Sequence, residues 1–380
     1  MRIYLDNAAT TPIDPEVFEA MLPYLKDHFG NPSSTHSFGR VTKSAIEKVR
    51  KDVASILKCT TSELIFTSGG TEADNMAIYS AIHDLGVTRL ISSRLEHHAV
   101  SHTVEVLGNM NNVSVEWVNT DDCGQVDLQH LDQLLSTGEK TLVSLMHANN
   151  EIGTLLPLKQ VAELCKRHGA YLHSDTVQTV GHYHIDLSDI PVDFITCAAH
   201  KFHGPKGVGF LFVRKGLPFK AFISGGAQER DKRGGTENVY AIVGLGKAIE
   251  LAYRDLDQHT AHIKGIREYM REQLTAAIPG IAFNCDPNGL YTVLNVNFPD
   301  FPQADMLLFT LDIEGVACSG GSACSSGSNK GSHVLAELKK KNSGPNVRFS
   351  FSKNTTKEEI DVVLGKLKVI FERASVNQYS

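Results

Sequence analysis

Short apolar runs alternate with helical spacing over the first two-thirds of the chain. Leu64–Thr67, Arg89–Ser92 and residues 113–118, 142–146 and 171–173 each read as a strand. A brief β-favouring apolar run bounded by turn signals suits a buried strand. Asp14 as N-cap and Pro15 in the first turn predict a helix to about His28. Val41, Ala45, Val49, Val53 and Ile56 keep helical spacing. A further helix starts near Glu72, and Leu158–Arg167 is a helix closed by Gly169. This alternation predicts an α/β fold, with a mostly parallel sheet and helices on both faces. After Asn238 the pattern changes. Residues 239–278 form nearly one long helical pattern, residues 290–298, 316–318 and 347–351 read as strands, and residues 304–313 as a helix. Thr356-x-x-Glu359 is a capping box that opens a last helix to about Arg373. The expected division is a large domain over 16–257 and a smaller α+β domain from 1–15 with 258–380.

Within this pattern the stretch 192–209, VDFITCAAHKFHGPKGVG, stands out. The strand ending at Cys197 runs into His200 and Lys201. Gly204, Pro205, Gly207 and Gly209 then break the chain, and residues 208–213 return as a strand. A lysine on a tight turn between buried strands is a good amine nucleophile, because desolvation lowers an amine's pKa. Alone, the stretch fits an ordinary turn lysine equally well.

Composition narrows the function classes. The 380 residues carry a formal net charge of -6 and no long basic run, which speaks against nucleic acid and acidic membrane surfaces. No apolar run is long enough to span a bilayer, and the N-terminus lacks a secretion h-region, so a cytoplasmic location is expected. The seven cysteines form no C-x-x-C, so neither a disulfide framework nor a zinc site is expected. The histidine pairs lack a third ligand at recognisable spacing, and no metal is expected.

Candidate chemistry gathers at strand ends, where open α/β sheets bind ligands. Ser68-Gly69-Gly70-Thr71 could present backbone N–H groups and a helix N-terminus to a phosphate. Asp175 could hold a protonated pyridine nitrogen, with Gln178 one turn on donating to a ring substituent. Either segment could equally be a plain helix start or N-cap. In Glu96-His97-His98 a histidine could stack on a flat ring, or the pair could be surface loop. With Lys201, these are the parts a pyridoxal phosphate site needs. The loop SGGSACSSGS, 319–328, places Cys324 among Gly and Ser, where a thiol is expected to be exposed and reactive.

The motifs LDNAATT, GNPSSTH, FTSGGTEADN, EHHAV, HANNEIG, HSDTVQ, AAHKFHGPKGVG, RGGTEN, SGGSACSSGS and VRFSFSK follow in order over nearly the full length. Together they resemble the NifS/IscS-type cysteine desulfurases, class V aminotransferases of the fold type I pyridoxal phosphate class. Ser322-Ala323-Cys324 resembles their group I. The resemblance implies conversion of L-cysteine to L-alanine, with the sulfur left as a persulfide on Cys324 for a sulfur acceptor such as an iron-sulfur scaffold. It implies that Lys201 binds pyridoxal 5'-phosphate covalently, with His200 beside it in the cofactor site. Gly70 and Thr71 would bind the phosphate, with Thr236 reaching in from the other subunit of a homodimer. Asp175 would pair with the ring nitrogen, Gln178 with the phenolic oxygen, and His97 would stack on the ring and serve catalysis. Asn150 and Arg348 would grip the substrate carboxylate. Selenocysteine lyase, another fold type I aminotransferase and a non-catalytic sulfur-transfer scaffold are the rival readings. Two positions depart from the family pattern: Ala198 stands where a serine is usual, and Gly234 where Ser or Ala is usual. The chain also ends soon after the last expected helix, which weakens the case for a scaffold partner engaged through a longer tail.

Overall fold

A computed structural model describes residues 2–284, 288–302, 304–321, 331–338 and 344–376. The chain begins with β1 (Ile3–Tyr4), α1 (Pro15–Lys26), α2 (Ser37–Leu57), β2 (Leu64–Thr67), α3 (Gly70–His83), β3 (Arg89–Ser92) and α4 (His98–Asn111). It continues through β4 (Ser114–Trp117), α5 (Leu128–Leu135), β5 (Thr141–Ser144), α6 (Leu158–Arg167), β6 (Tyr171–Asp175), β7 (Phe194–Ala198) and β8 (Gly209–Val213). These strands form a seven-stranded sheet in the order β2-β8-β7-β6-β5-β3-β4. Only β8 runs against its neighbours, and every other adjacent pair is parallel. Residues of α3 and α4 pack on one face, and residues of α2, α6 and α7 (Val239–Arg254) on the other. From β3 the chain steps outward to β4, whereas from β5 it steps the other way to β6. Such a reversal leaves a crevice beyond the carboxyl ends of the strands.

Local rules explain the helix starts. Asp14 accepts from the N–H of Glu16 at 2.8 Å, and Pro15 fills the first helical position of α1. In α2 Val49 and Val53 of the expected spacing are buried and Ile56 packs partly against the core, while Val41 is exposed. Thr42, Ile46, Arg50 and Leu57 are buried as well. Arg50 is buried through its partners. Its guanidinium donates to both carboxylate oxygens of Glu229, at 2.9 and 2.8 Å, and to the Leu64 carbonyl at 2.8 Å. Glu229 also accepts the Phe66 N–H at 2.8 Å, satisfying a donor on an edge strand.

A second core follows. After α7 come α8 (Leu256–Ala277), β9 (Ala282–Phe283), β10 (Val293–Asn297), α9 (Leu307–Ile313), β11 (Val316–Ala317), α10 (His333–Glu337), β12 (Asn346–Ser350) and α11 (Lys357–Val376). An antiparallel sheet β12-β10-β9 and a parallel pair β1-β11 carry this core, in which Ile3 and Leu5 join Ile263, Met270, Val296, Phe349 and Leu367. The long helical pattern is two helices, broken at Asp255 (φ −112°, ψ 19°), because Leu251 belongs to the first core and Ile263 to the second. The 304–313 segment begins as a 3-10 turn before α9. The capping box forms: Thr356 N–H donates to Glu359 at 3.0 Å and Glu359 N–H to Thr356 Oγ1 at 3.2 Å. Among the described residues no helix is long and apolar enough to cross a membrane.

Arg50→Met should strand the buried Glu229 carboxylate and cost about 3–5 kcal/mol of stability. The double variant Arg50→Met/Glu229→Leu should recover most of that loss, and urea denaturation compares the two.

Candidate active site

The carboxyl ends of β2, β3, β5, β6 and β7 open on one side of the sheet. Gly70 and Thr71 follow β2, His97 follows β3, Asn150 follows β5, Asp175 ends β6 with Gln178 just beyond, and His200 and Lys201 follow β7. All of them line one cavity of about 240 Å³, and Arg348 of β12 lines it too. The structure therefore brings together nine of the expected residues from the two sheets. Thr236 does not line this cavity and is exposed. Cys324 lies outside the described residues.

The turn that carries Lys201 depends on close backbone approach. A Cβ on Gly209 would collide with the Cys197 carbonyl of the paired strand, so only glycine fits. The N-terminal segment then clamps the turn. Lys201 Nζ donates to the carbonyls of Ala8 at 2.6 Å and Ala9 at 2.9 Å. Thr11 donates from both its N–H and its hydroxyl to the His200 carbonyl, each at 2.9 Å. Gln178 Nε2 also donates to the Ala8 carbonyl, at 3.1 Å. Burial and neighbouring Lys201 bring His200 down to about 4.

His97 caps α4, its Nδ1 accepting the Ala99 N–H at 3.1 Å. Burial lowers its pKa, with Asp175 opposing, which favours the neutral ring. Asp175 accepts the Val177 N–H at 2.9 Å, and burial pushes it up to about 6. Arg348 is 1% exposed. Its guanidinium donates to the Asn150 carbonyl at 2.9 Å and to Asp6 at 2.7 Å, while its buried Nε has no hydrogen-bond partner.

Three contributors were missing from the sequence reading. Asp6 pairs with Arg348 across 342 positions, and no local signal marks it. The Ala8 and Ala9 carbonyls act through the backbone, which residue types do not reveal. Asp74 did leave a signal, since it lies four positions after Gly70 and so on the same helix face.

These groups fit a flat, phosphorylated, aldehyde-bearing cofactor. No side chain caps α3 at Gly69, so its first N–H groups are available to a phosphate. Asp175 presents a buried carboxylate, Lys201 an amine at the wall, and Arg348 a guanidinium whose charge suits an anion. Among the described residues no cluster could hold a metal ion.

A family model, aminotransferase class-V, matches residues 3–363. The chain is 42% identical over 379 residues to a cysteine desulfurase IscS of Dictyoglomus turgidum, covering 98% of this chain and 95% of the relative. The chain belongs to the class-V aminotransferase family, in its NifS/IscS-type branch. Among solved structures, a NifS-like protein superposes with a TM-score of 0.90 at 34% identity, covering 98% of this chain and 100% of that one. SspA in complex with cysteine superposes with a TM-score of 0.81 at 30% identity, covering 94% and 100%. The mostly parallel sheet with helices on both faces is the fold type I architecture of this branch.

One departure from the NifS/IscS-type pattern has a packing reason. A Cβ on Gly234 would lie 2.7 Å from the Gly225 Cα and 3.0 Å from the Ile223 carbonyl, so the loop leading to Thr236 admits only glycine without a shift. Ala198 lines the cavity and is 3% exposed.

Burial brings His147, His173 and His182 each to about 4, below the ordinary 6.5. The unfolded chain then binds more protons in that window. The stability these rings contribute is full above 6.5 and is lost as pH falls towards 4, each on the order of 1 kcal/mol at about pH 5.5. Thermal unfolding of His182→Gln should decline less steeply over this range than that of the wild type.

Proposed function

We propose that this protein is a pyridoxal 5'-phosphate-dependent cysteine desulfurase, converting L-cysteine to L-alanine and leaving the sulfur as a persulfide on Cys324. The carrying observation is the convergence of Lys201, Asp175, His97 and Arg348 on one cavity. Relatives named cysteine desulfurase at full-length coverage support the same reading, and so does a cysteine complex of a structural neighbour.

Lys201 would hold the cofactor covalently, with Gly70 and Thr71 at its phosphate and His97 and His200 at its ring. Bound there, the cofactor would supply an electron sink for charge developing at the substrate's Cα. Asp175 would keep the ring nitrogen protonated, which deepens that sink. Arg348 and Asn150 would fix the substrate carboxylate, the guanidinium through its planar fork. The Lys201 amine would take the Cα proton and return one. The Cys324 thiolate would then attack the substrate sulfur. The S–S bond forms as the Cβ–S bond breaks, the electron pair passes to Cβ, and protonation there completes alanine. Cysteine and a protein thiol thus give alanine and a protein persulfide.

The proposal extends to a homodimer in which Thr236 serves the other subunit's phosphate site, to a sulfur acceptor protein such as an iron-sulfur scaffold, and to a cytoplasmic location. It also includes the division into a large unit, 16–257, and a smaller one from 1–15 and 258–380.

Lys201→Ala should abolish the visible absorbance of covalently held cofactor. Cys324→Ser should retain that absorbance but form essentially no persulfide, because a hydroxyl cannot carry the sulfur. Mass spectrometry after brief exposure to cysteine reads the second outcome, and persulfide on the Cys324→Ser protein at wild-type yield would overturn the assignment. Ala198→Ser should restore a phosphate hydrogen bond. It is expected to tighten cofactor binding by about 1 kcal/mol, or roughly five-fold, measured by equilibrium dialysis.

A further inference from the structure

Helix α3 lies over the sheet face to which β5, β6 and β7 turn Ser144, His173, Asp175 and Thr196. Residues in register across strands, and residues two apart along one strand, share a face. Asp74 of α3 meets this polar row and is 1% exposed. Ser144 Oγ and His173 Nδ1 are hydrogen-bonded at 2.8 Å. His173 Nε2 lies 3.3 Å from Asp74 Oδ1, off the hydrogen-bonding line. Both of those atoms, and Thr196 Oγ1, are buried without a hydrogen-bond partner.

Glu229 shows how this fold surrounds a buried carboxylate with donors: two bonds from Arg50 and one from a backbone N–H. Asp74 has no such set, and among the described residues no Lys or Arg ion pair reaches it. Asp175 and His173 face it from β6, and Glu96 and His97 from the segment before α4, with Lys201 across the cavity. α4 meets α3 through Val100, Val104 and a Thr103–Asn75 hydrogen bond. β2, β5, β7 and β8 bring only hydroxyl and apolar groups to this face, and Cys197 of β7 packs in the opposite core.

We infer that Asp74 is a positioning residue that carries the proton of this buried layer at neutral pH, leaving the negative charge to Asp175. A small rotation lets its O–H donate to His173 Nε2 while Nδ1–H donates to Ser144, which settles Asp74 Oδ1 and His173 Nε2. Burial supports the assignment: it lifts Asp74 to about 7 and lifts Asp175 to about 6. Glu96 is pushed well up by the same burial. The consequence rests on the reading of Asp175 as the ring-nitrogen partner: one charge beneath the cavity matches one cationic ring nitrogen.

The protonation itself is tested on the full-length protein freed of cofactor. A folded-state pKa above the unfolded one means that stability is lost as pH rises, here from about 4 through about 7. Asp74→Asn removes this loss. The thermal midpoint of the variant should therefore gain several degrees on the wild type between about pH 5 and about pH 8. A pH-independent difference, or one of opposite slope, overturns the proposal. Nuclear magnetic resonance of wild-type protein labelled at aspartate carboxyl carbons reads the group directly, whether or not the variant folds. One aspartate should titrate at about 7, above Asp175 and Asp193 at about 6. No aspartate titrating above about 6 would also overturn it. On loading with cofactor, the Asp175 midpoint should fall. If it does not move while the aspartate at about 7 persists, the reading of Asp175 fails and that of Asp74 stands.

Discussion

A guanidinium with almost no exposure to water holds the site together. Burying Arg348 is tolerable only because Asp6 and the Asn150 carbonyl meet it, and removing a partner from such a charge costs several kcal/mol in general, about 3–5. Those partners come from the start and the middle of the chain, while Arg348 comes from near its end. Around the same point Arg348 exchanges backbone hydrogen bonds with Ser319, and Asp6 bridges to Ser350. The geometry of the cavity and the joining of the two cores are therefore one problem with one solution. Arg348 also lines the cavity, so the residue that closes the structure brings a positive charge to it.

Buried carboxylates are handled in two ways. Glu72 takes Arg233 and the Ser68 N–H, Glu63 takes Thr60 and the Lys215 N–H, and both carboxyls are held below their ordinary range. Asp175, Asp74 and Glu96 lack such compensation and are pushed up. Perturbation by itself does not mark a site. Asp193 is raised to about 6 as well, yet it sits in another cleft, accepting the Leu172 N–H. What distinguishes Asp175 and Asp74 is convergence with an amine, an imidazole and an uncapped helix start on one cavity.

Legibility in the sequence followed the range of the interactions. The strands around Lys201, the cap at Asp14 and the box at Thr356 and Glu359 rest on near neighbours, and each is where the pattern put it. The buried Arg50–Glu229 pair on the inward face of α2 was not legible, because it spans 179 positions. The break at Asp255 carries neither Gly nor Pro and arises from the competing pull of two cores. Most of the candidate site was legible, because its residues end strands or open helices. Asp6 and the clamp on Lys201 were not, since both are made by segments nearly two hundred residues or more away.

The distribution of thiols completes the argument about sulfur. Among the described residues no cysteine lines the cavity. Cys197 lies wholly within the core behind β7, and burial drives its thiol well up. Cys59 and Cys165 are pushed to about 12 in the same way. Cys318 is only partly covered, but burial with Asp6 nearby still holds its thiol at about 12, so thiolate is scarce there at neutral pH. The sheet floor therefore supplies an amine, carboxylates and an anion grip but no nucleophilic sulfur. Under the proposed function that sulfur is supplied by Cys324, and described residues on either side of it in sequence, Ser319 and Ser332, lie beside the carboxylate grip. Ser332 donates to the buried Glu151 at 2.5 Å, next to Asn150, while Ser319 pairs with Arg348 itself.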